Sequence, residues 1–177
     1  WFYVEGYLVT DEARTLATKA AVETAKGKGV KVALSLSDPF VVAAFGDALR
    51  EVIGGGVDLI FCNKDEAMAF TDTESLETAA ETLKQYTKTF AITDGANGAI
   101  TFDGDTVSHS NGVKSEAVDT NGAGDMFAGA FLYAITSGKS YAWAADLAND
   151  CAARVVAQFG PRLKASDFDS IKKQFGL

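Results

Sequence analysis

Residues Val30 to Cys62, VKVALSLSDPFVVAAFGDALREVIGGGVDLIFC, decide the fold class. Val30 to Leu36 is apolar except for its lysine and serine, and reads as a buried strand. Phe40 to Ile53 has the length and period of a helix, and Gly54-Gly55-Gly56 ends it. Val57 to Cys62 is a further buried strand. A strand, a helix and a strand in this order predict a βαβ unit, with a parallel sheet covered on both faces and right-handed crossovers. The same alternation extends outward. Trp1 to Leu8 reads as a strand, and Asp11 to Lys26 as a helix with apolar Ala13, Leu16, Ala17, Ala20 and Ala21. Helical pieces follow at Asp65–Phe70 and Ser75–Tyr86, then a strand at Phe90–Thr93. Beyond Thr93 the pattern changes. Ala99–Phe102 and Thr106–Ser110 are short alternating strands joined by Asp103-Gly104-Asp105, a hairpin-like turn. Helices are expected at Gly122–Ser137, Tyr141–Phe159 and Ala165–Phe175. No repeat or low-complexity linker interrupts the chain, which reads as one α/β unit.

The 177 residues are 47% hydrophobic and 23% charged, a globular balance long enough to bury a core. A net charge of −8 argues against a nucleic-acid partner, which needs clustered Lys and Arg. It leaves nucleotide binding open, because backbone N–H groups and a metal can hold a nucleotide. Cys62 and Cys151 lie in apolar surroundings and read as reduced, buried thiols. His109 is the only histidine, which leaves little for a histidine-based zinc site or a Ser-His-Asp triad. No apolar run approaches a membrane span and no signal peptide is legible, so the expected location is cytoplasmic.

The strongest chemical signal is Asp119-Thr120-Asn121-Gly122-Ala123-Gly124-Asp125-Met126-Phe127-Ala128-Gly129-Ala130. A polar turn of small residues runs directly into a helix. Small side chains leave the N–H groups of Gly122, Ala123 and Gly124 uncovered at the positive end of the helix dipole, where an anion is favoured. Asp125 then stands in the first turn beside that anion site. A carboxylate there repels phosphate, unless it accepts a proton from an attacking hydroxyl. The plain alternative makes Asp119 and Asp125 capping acids and the glycines a tight turn.

The segment from Asp119 to Leu132 resembles the C-terminal signature of the ribokinase-like (PfkB) carbohydrate kinases. Asn63-Lys64-Asp65-Glu66 is similar to that family's Asn-x-x-Glu motif, and Thr93-Asp94-Gly95-Ala96-Asn97-Gly98 to its nucleotide-binding loop. The three occur in the family's order. The resemblance implies a three-layer α/β/α sandwich whose mostly parallel sheet has a short antiparallel portion. It implies ATP and Mg2+ as cofactors, Asp125 as base, and Gly122, Ala123 and Gly124 as the anion hole. It implies that Asn63 and Glu66 serve phosphate and magnesium, Glu66 through water, and that Thr93, Gly95 and Gly98 serve the nucleotide. Magnesium keeps several waters and needs few carboxylates, which suits Glu66. Asn63 and Glu66 also fit a capping box, and both readings hold together. By analogy Asn149 falls in the adenine pocket, its alternative being an exposed helical position. Asp119, with the Asn121 carbonyl, falls where relatives hold a monovalent cation such as K+, its alternative being a turn cap.

Val4-Glu5-Gly6-Tyr7-Leu8, Leu36-Ser37-Asp38-Pro39-Phe40 and Gln158-Phe159-Gly160-Pro161-Arg162 resemble adenosine kinases and their bacterial relatives. The implied reaction moves the γ-phosphate of ATP to the 5′-OH of adenosine. The alternatives are a sugar kinase of ribose or fructose type, or a nucleotide-binding module without catalysis. Gly138-Lys139-Ser140 is a decoy: a phosphate loop needs glycine at position 133, which is Tyr133, so this is a helix end. Nor do Gly122 and Gly124 make a dinucleotide fingerprint, because Phe127 holds the third glycine position. The chain starts at Trp1, without Met and inside an apparent strand. Residues 1–177 are therefore expected to be the C-terminal part of a kinase domain. The substrate-binding N-terminal part and lid, through which relatives can pair as homodimers, would be absent, and the chain alone inactive or nearly so.

Overall fold

The computed structural model describes residues 1–177. The elements are β1 (Phe2–Glu5), a 3₁₀ turn (Gly6–Val9), α1 (Glu12–Gly27), β2 (Val32–Ser35), α2 (Pro39–Ile53) and β3 (Val57–Asn63). Then come α3 (Lys64–Thr71), α4 (Leu76–Leu83), β4 (Thr87–Thr93), a 3₁₀ turn (Gly95–Asn97), β5 (Ala99–Phe102) and β6 (Val107–Ser110). Three helices close the chain: α5 (Ala123–Thr136), α6 (Tyr141–Val156) and α7 (Ala165–Phe175). The strands hydrogen-bond in the order β1-β2-β3-β4-β5-β6, in a mostly parallel sheet. The four-residue connection Asp103–Thr106 is too short for a parallel crossover, so β5 and β6 form the expected antiparallel hairpin. The Asp103 carboxylate braces that turn by accepting from the N–H groups of Asp105 (3.0 Å) and Thr106 (2.8 Å).

The chain divides into two compact units, Trp1–Ile92 with Phe102–Thr106, and Thr93–Thr101 with Val107–Leu177. In the first, β1, β2 and β3 are parallel, with Glu5 opposite Ser35 and Ser35 opposite Phe61. Val32, Ala33 and Leu34 are all buried in succession, as are Leu59, Ile60, Phe61 and Cys62. Neighbouring strand residues face opposite ways, so both faces of these strands are covered. Helix α1 packs on β1, β2 and α2, while α3 packs on β3, α2 and α4. Asp38 starts α2 by accepting from the Phe40 N–H (2.7 Å), with Pro39 in the first turn.

Several boundaries differ from the sequence reading, among them the end of α4, at Leu83 instead of Tyr86. The first strand stops at Glu5, because Gly6 is pressed against the Leu36 carbonyl and its N–H donates to Ser37 Oγ at 2.7 Å. Strand β4 starts at Thr87, since Thr89 Oγ1 donates to the Asp58 carbonyl (2.7 Å) and Thr87 Oγ1 to that of Val57 (3.3 Å). Helix α6 stops at Val156, before Gln158.

In the second unit α5 packs along α6, and α6 contacts β6 and α7. Phe127, Ala128, Phe131 and Ala134 form the buried side of α5. The Phe131 ring meets Tyr141 edge-on at 5.1 Å. Arg154 on α6 holds α7 through Ser170 (2.7 Å) and Gln174 (3.0 Å). The decoy segment is a helix junction: Gly138 has φ 81° and Ser140 Oγ caps α6 by accepting from the Trp143 N–H (3.3 Å). Both cysteines are buried and free. Burial pushes the Cys151 thiol up to about 11 and that of Cys62 well above its ordinary value, so neither is a nucleophile at neutral pH.

Candidate functional site

At the C-terminal end of β3, Asn63 opens α3 through a reciprocal capping box. Asn63 Oδ1 accepts from the Glu66 N–H (2.8 Å), and Glu66 Oε2 accepts from the Asn63 N–H (3.0 Å). Asn63 Nδ2 donates to Glu66 Oε1 at 2.7 Å. Glu66 is only 5% exposed. Burial pushes its carboxyl up to about 7; the Asn63 N–H pulls the other way, and the negative charges of Asp38, Asp65 and Glu5 add to the rise. Sequence reasoning missed that surrounding cluster. Glu5 ends β1, and its Oε2 accepts from Ser37 Oγ at 2.9 Å. Ser37 itself has φ 72°, rare for a residue other than glycine. The signal available was positional, since polar residues directly follow apolar strands where parallel sheets bind ligands.

In the second unit, the loop before α5 is held at both ends. The Val118 and Asp119 N–H groups donate to the Val156 carbonyl, at 2.9 and 3.2 Å. Asp119 Oδ1 accepts from the Asn121 N–H (3.0 Å) and Oδ2 from the Gly160 N–H (3.2 Å), which holds its carboxyl below the usual range. Gly122 has φ 76°, and a Cβ there would overlap Pro161. Only glycine fits. Gly124 is the opposite case, with nothing within 4 Å of where its Cβ would stand. Gly124 and Asp125 are both exposed. No side chain caps α5. Of the three N–H groups expected to be uncovered, that of Ala123 makes a long 3.3 Å bond back to the Thr120 carbonyl.

The Thr93–Gly98 segment closes on itself, with the Asp94 N–H donating to the Gly98 carbonyl at 2.8 Å. Gly95 has φ 52° and open space around it. At Gly98 (φ 97°) a Cβ would overlap the Ser110 carbonyl, and at Gly112 one would overlap the carbonyl of Ala96. Two backbone segments therefore cross in contact at these glycines. Asn149 is not the exposed helical position that was its alternative reading. It is 8% exposed, and its Nδ2 donates to Ser110 Oγ (2.8 Å) and to the Asn111 carbonyl (3.3 Å). Ser110 Oγ in turn donates to Asp146 at 2.6 Å. Asn149 fastens the strand that crosses Gly98, and its amide N–H groups are already engaged.

Within the second unit the structure thus brings Gly98 to Ser110 and Asn149, and Asp119 to Asn121 and Gly160. Within the first it brings Asn63 to Glu66. An apolar cavity of about 640 Å³ lies in the second unit alongside α5, with Asp125 in its lining. No group of three or more His, Cys, Asp or Glu side chains forms a ready set of direct metal ligands. No helix is long and apolar enough to cross a membrane.

The backbone is similar to that of adenosine kinase from Sinorhizobium meliloti, with a TM-score of 0.90 and 33% identity over 97% of this chain and 53% of that one. A probable sugar kinase from Rhizobium etli gives the same TM-score and identity, over 98% and 53%. In sequence, adenosine kinase of Saccharomyces cerevisiae is 30% identical over 90% of this chain and 50% of that protein. The chain spans about half the length of the relatives it matches. These likenesses carry the ribokinase-like α/β fold. The family model of the pfkB carbohydrate kinases matches residues 1–167, and to that family this chain belongs.

Proposed function

We propose that these residues are the C-terminal, ATP-binding part of a kinase that moves the γ-phosphate of ATP to a hydroxyl of a nucleoside or sugar, with the 5′-OH of adenosine as the preferred acceptor. The observation that carries this reading is the start of α5. There an exposed Asp125 adjoins a helix N-terminus with no side-chain cap and, at Gly124, open space. Asp125 takes the proton of the attacking hydroxyl as the O–P bond forms. The N–H groups of Gly122, Ala123 and Gly124 face the charge on the transferring group, with Ala123 giving up its weak bond to Thr120.

In the other unit, Asn63 and Glu66 would serve phosphate and magnesium. A magnesium ion, when bound, shields phosphate charge. The donor chemistry suits it: Glu66 is held near neutrality by burial and by three other carboxylates, an excess of negative charge that a cation relieves. Because both Glu66 oxygens already accept from Asn63, its role is through water. Thr93, Gly95 and Gly98 line the nucleotide. Asn149 supports them from behind by holding Ser110 and Asn111 in place. Asp119 fixes the loop and, with the Asn121 carbonyl, would face a monovalent cation. Adenosine kinases among the similar proteins support the nucleoside acceptor.

The test is ADP formation from MgATP by the full-length protein with adenosine, other nucleosides, ribose and fructose. Adenosine-dependent ADP formation supports the reading, and turnover with a sugar alone moves the acceptor class. Tight ATP binding with no turnover on any acceptor would leave only a nucleotide-binding module.

A further inference from the structure

The two ends of β3 differ in charge. Around its C-terminal end stand the carboxylates of Glu66, Asp65, Asp38 and Glu5. At its other end, within the first unit, a cavity of about 550 Å³ lies beside Val57 and Thr87, where β3 and β4 begin. Lys84 and Lys88 are the only charged residues in its lining. In a chain of net charge −8, two cations and no carboxylate around one cavity reverse the local sign. The half-buried rings of Tyr86 and Phe102 supply apolar wall. Gly55, also in the lining, has nothing within 4 Å of where a Cβ would stand, so no side chain fills that space. Positive charge continues behind the lining. Asp58 lies among Lys26, Lys31 and Lys88, with Glu23 acting on Lys26 as well. The two lining lysines are loosely held. Lys84 Nζ donates to Glu81 Oε1 (2.6 Å) and lies 4.7 Å from the centre of the Phe102 ring, while Lys88 Nζ donates to Asp58 Oδ1 (2.8 Å). The Glu81 side chain is 69% exposed and that of Lys88 78%. Ion pairs so exposed contribute little, and a doubly charged anion can draw the ammonium groups from their partners.

We propose that this cavity binds a small phosphomonoester with a flat apolar body, its phosphate held by Lys84 and Lys88 and its body against Tyr86 and Phe102. A phosphomonoester carries about two negative charges at neutral pH, which two ammonium groups match. Lysine offers phosphate a compact charge with three donors, and the rings offer apolar area to a flat partner. A carboxylate is the poorer match, with one charge for two cations. This site is separate from the proposed phosphate and magnesium corner. Val57 opens and Asn63 closes the seven-residue β3, which sets the two about 20 Å apart at the rise of a strand. The proposal stands on the cavity alone and does not require the kinase reading.

The experiment titrates phenyl phosphate into the isotope-labelled full-length protein and follows the NMR amide signals of Gly55, Gly56 and Gly104, all in the cavity lining. Saturable shifts of these signals are expected, with inorganic phosphate and phenol each binding about tenfold more weakly or worse. Lys84→Gln and Lys88→Gln together should weaken phenyl phosphate about tenfold or more and leave the other amide signals in place. If the pair disturbs the fold, either single variant, or added salt on the wild type, should still weaken binding. Unmoved signals at millimolar phenyl phosphate overturn the proposal. So does binding that neither the lysine variants nor salt affects. Shifts confined to Gly122 and Gly124 would put the anion at the start of α5 and overturn it too. Inorganic phosphate binding as tightly as phenyl phosphate would overturn the part given to the two rings.

Discussion

Two helix starts in this molecule treat their N–H groups in opposite ways. At α3, Asn63 and Glu66 saturate each other, and the corner is buried. At α5, Gly122 provides no side chain, the corner is exposed, and Gly124 faces open space. Side chains also cap α1 (Asp11), α2 (Asp38), α4 (Ser75) and α6 (Ser140), and the bare start of α5 differs from these. A helix stable enough without its cap can present its donors to a ligand. Where the chain satisfies itself, its residues are fixed by stability. Where it does not, they are free to serve chemistry.

The sharpest way to break this contrast is to add one methyl group at each of two neighbouring glycines. Gly122→Ala puts a Cβ into Pro161 at a left-handed backbone, and should lower stability by about 3 kcal/mol in urea denaturation. Gly124→Ala meets no atom of the chain, so its stability should stay within about 0.5 kcal/mol while phosphoryl transfer drops about tenfold or more. Wild-type transfer by Gly124→Ala would end the distinction. At the other corner, the Glu66 carboxyl titrates near 7 in the folded chain against an ordinary 4.5. The folded state therefore holds the extra proton between those values. Stability should fall by up to about 3 kcal/mol as pH rises from 4.5 to 7 and level off above, a slope that Glu66→Gln removes. Denaturation curves across that range decide it. Asn149→Ala frees Ser110 and Asn111, with an expected loss of about 1–2 kcal/mol in thermal unfolding and a weaker grip on ATP. Smallest of all, Gly129→Ala should stabilise the isolated chain by about 1 kcal/mol, since only helix propensity changes.

Much of the fold was legible because apolar runs of strand and helix length carry it directly. The βαβ segment from Val30 to Cys62 needed no tertiary information, and β2, α2 and β3 lie within it. Position also exposed the Asn63–Glu66 box, whose partners are three residues apart. What stayed hidden depends on distant partners. Gly6 turns because Ser37 and Leu36 meet it, and the polar start of β4 is made a strand by carbonyls of β3. The burial of Asn149 was hidden because its partners Ser110 and Asn111 lie far away in sequence. Gly122 and Gly124 look alike in sequence, and only Pro161 separates them.

The central claim is that Asp125 takes the proton of the attacking hydroxyl. Single-turnover phosphoryl transfer from MgATP to adenosine by the full-length protein tests it most directly, comparing wild type with Asp125→Asn while ATP affinity is followed in parallel. The account predicts a loss of about 10² or more in the transfer rate at unchanged ATP affinity. Equal rates in the two proteins would contradict it.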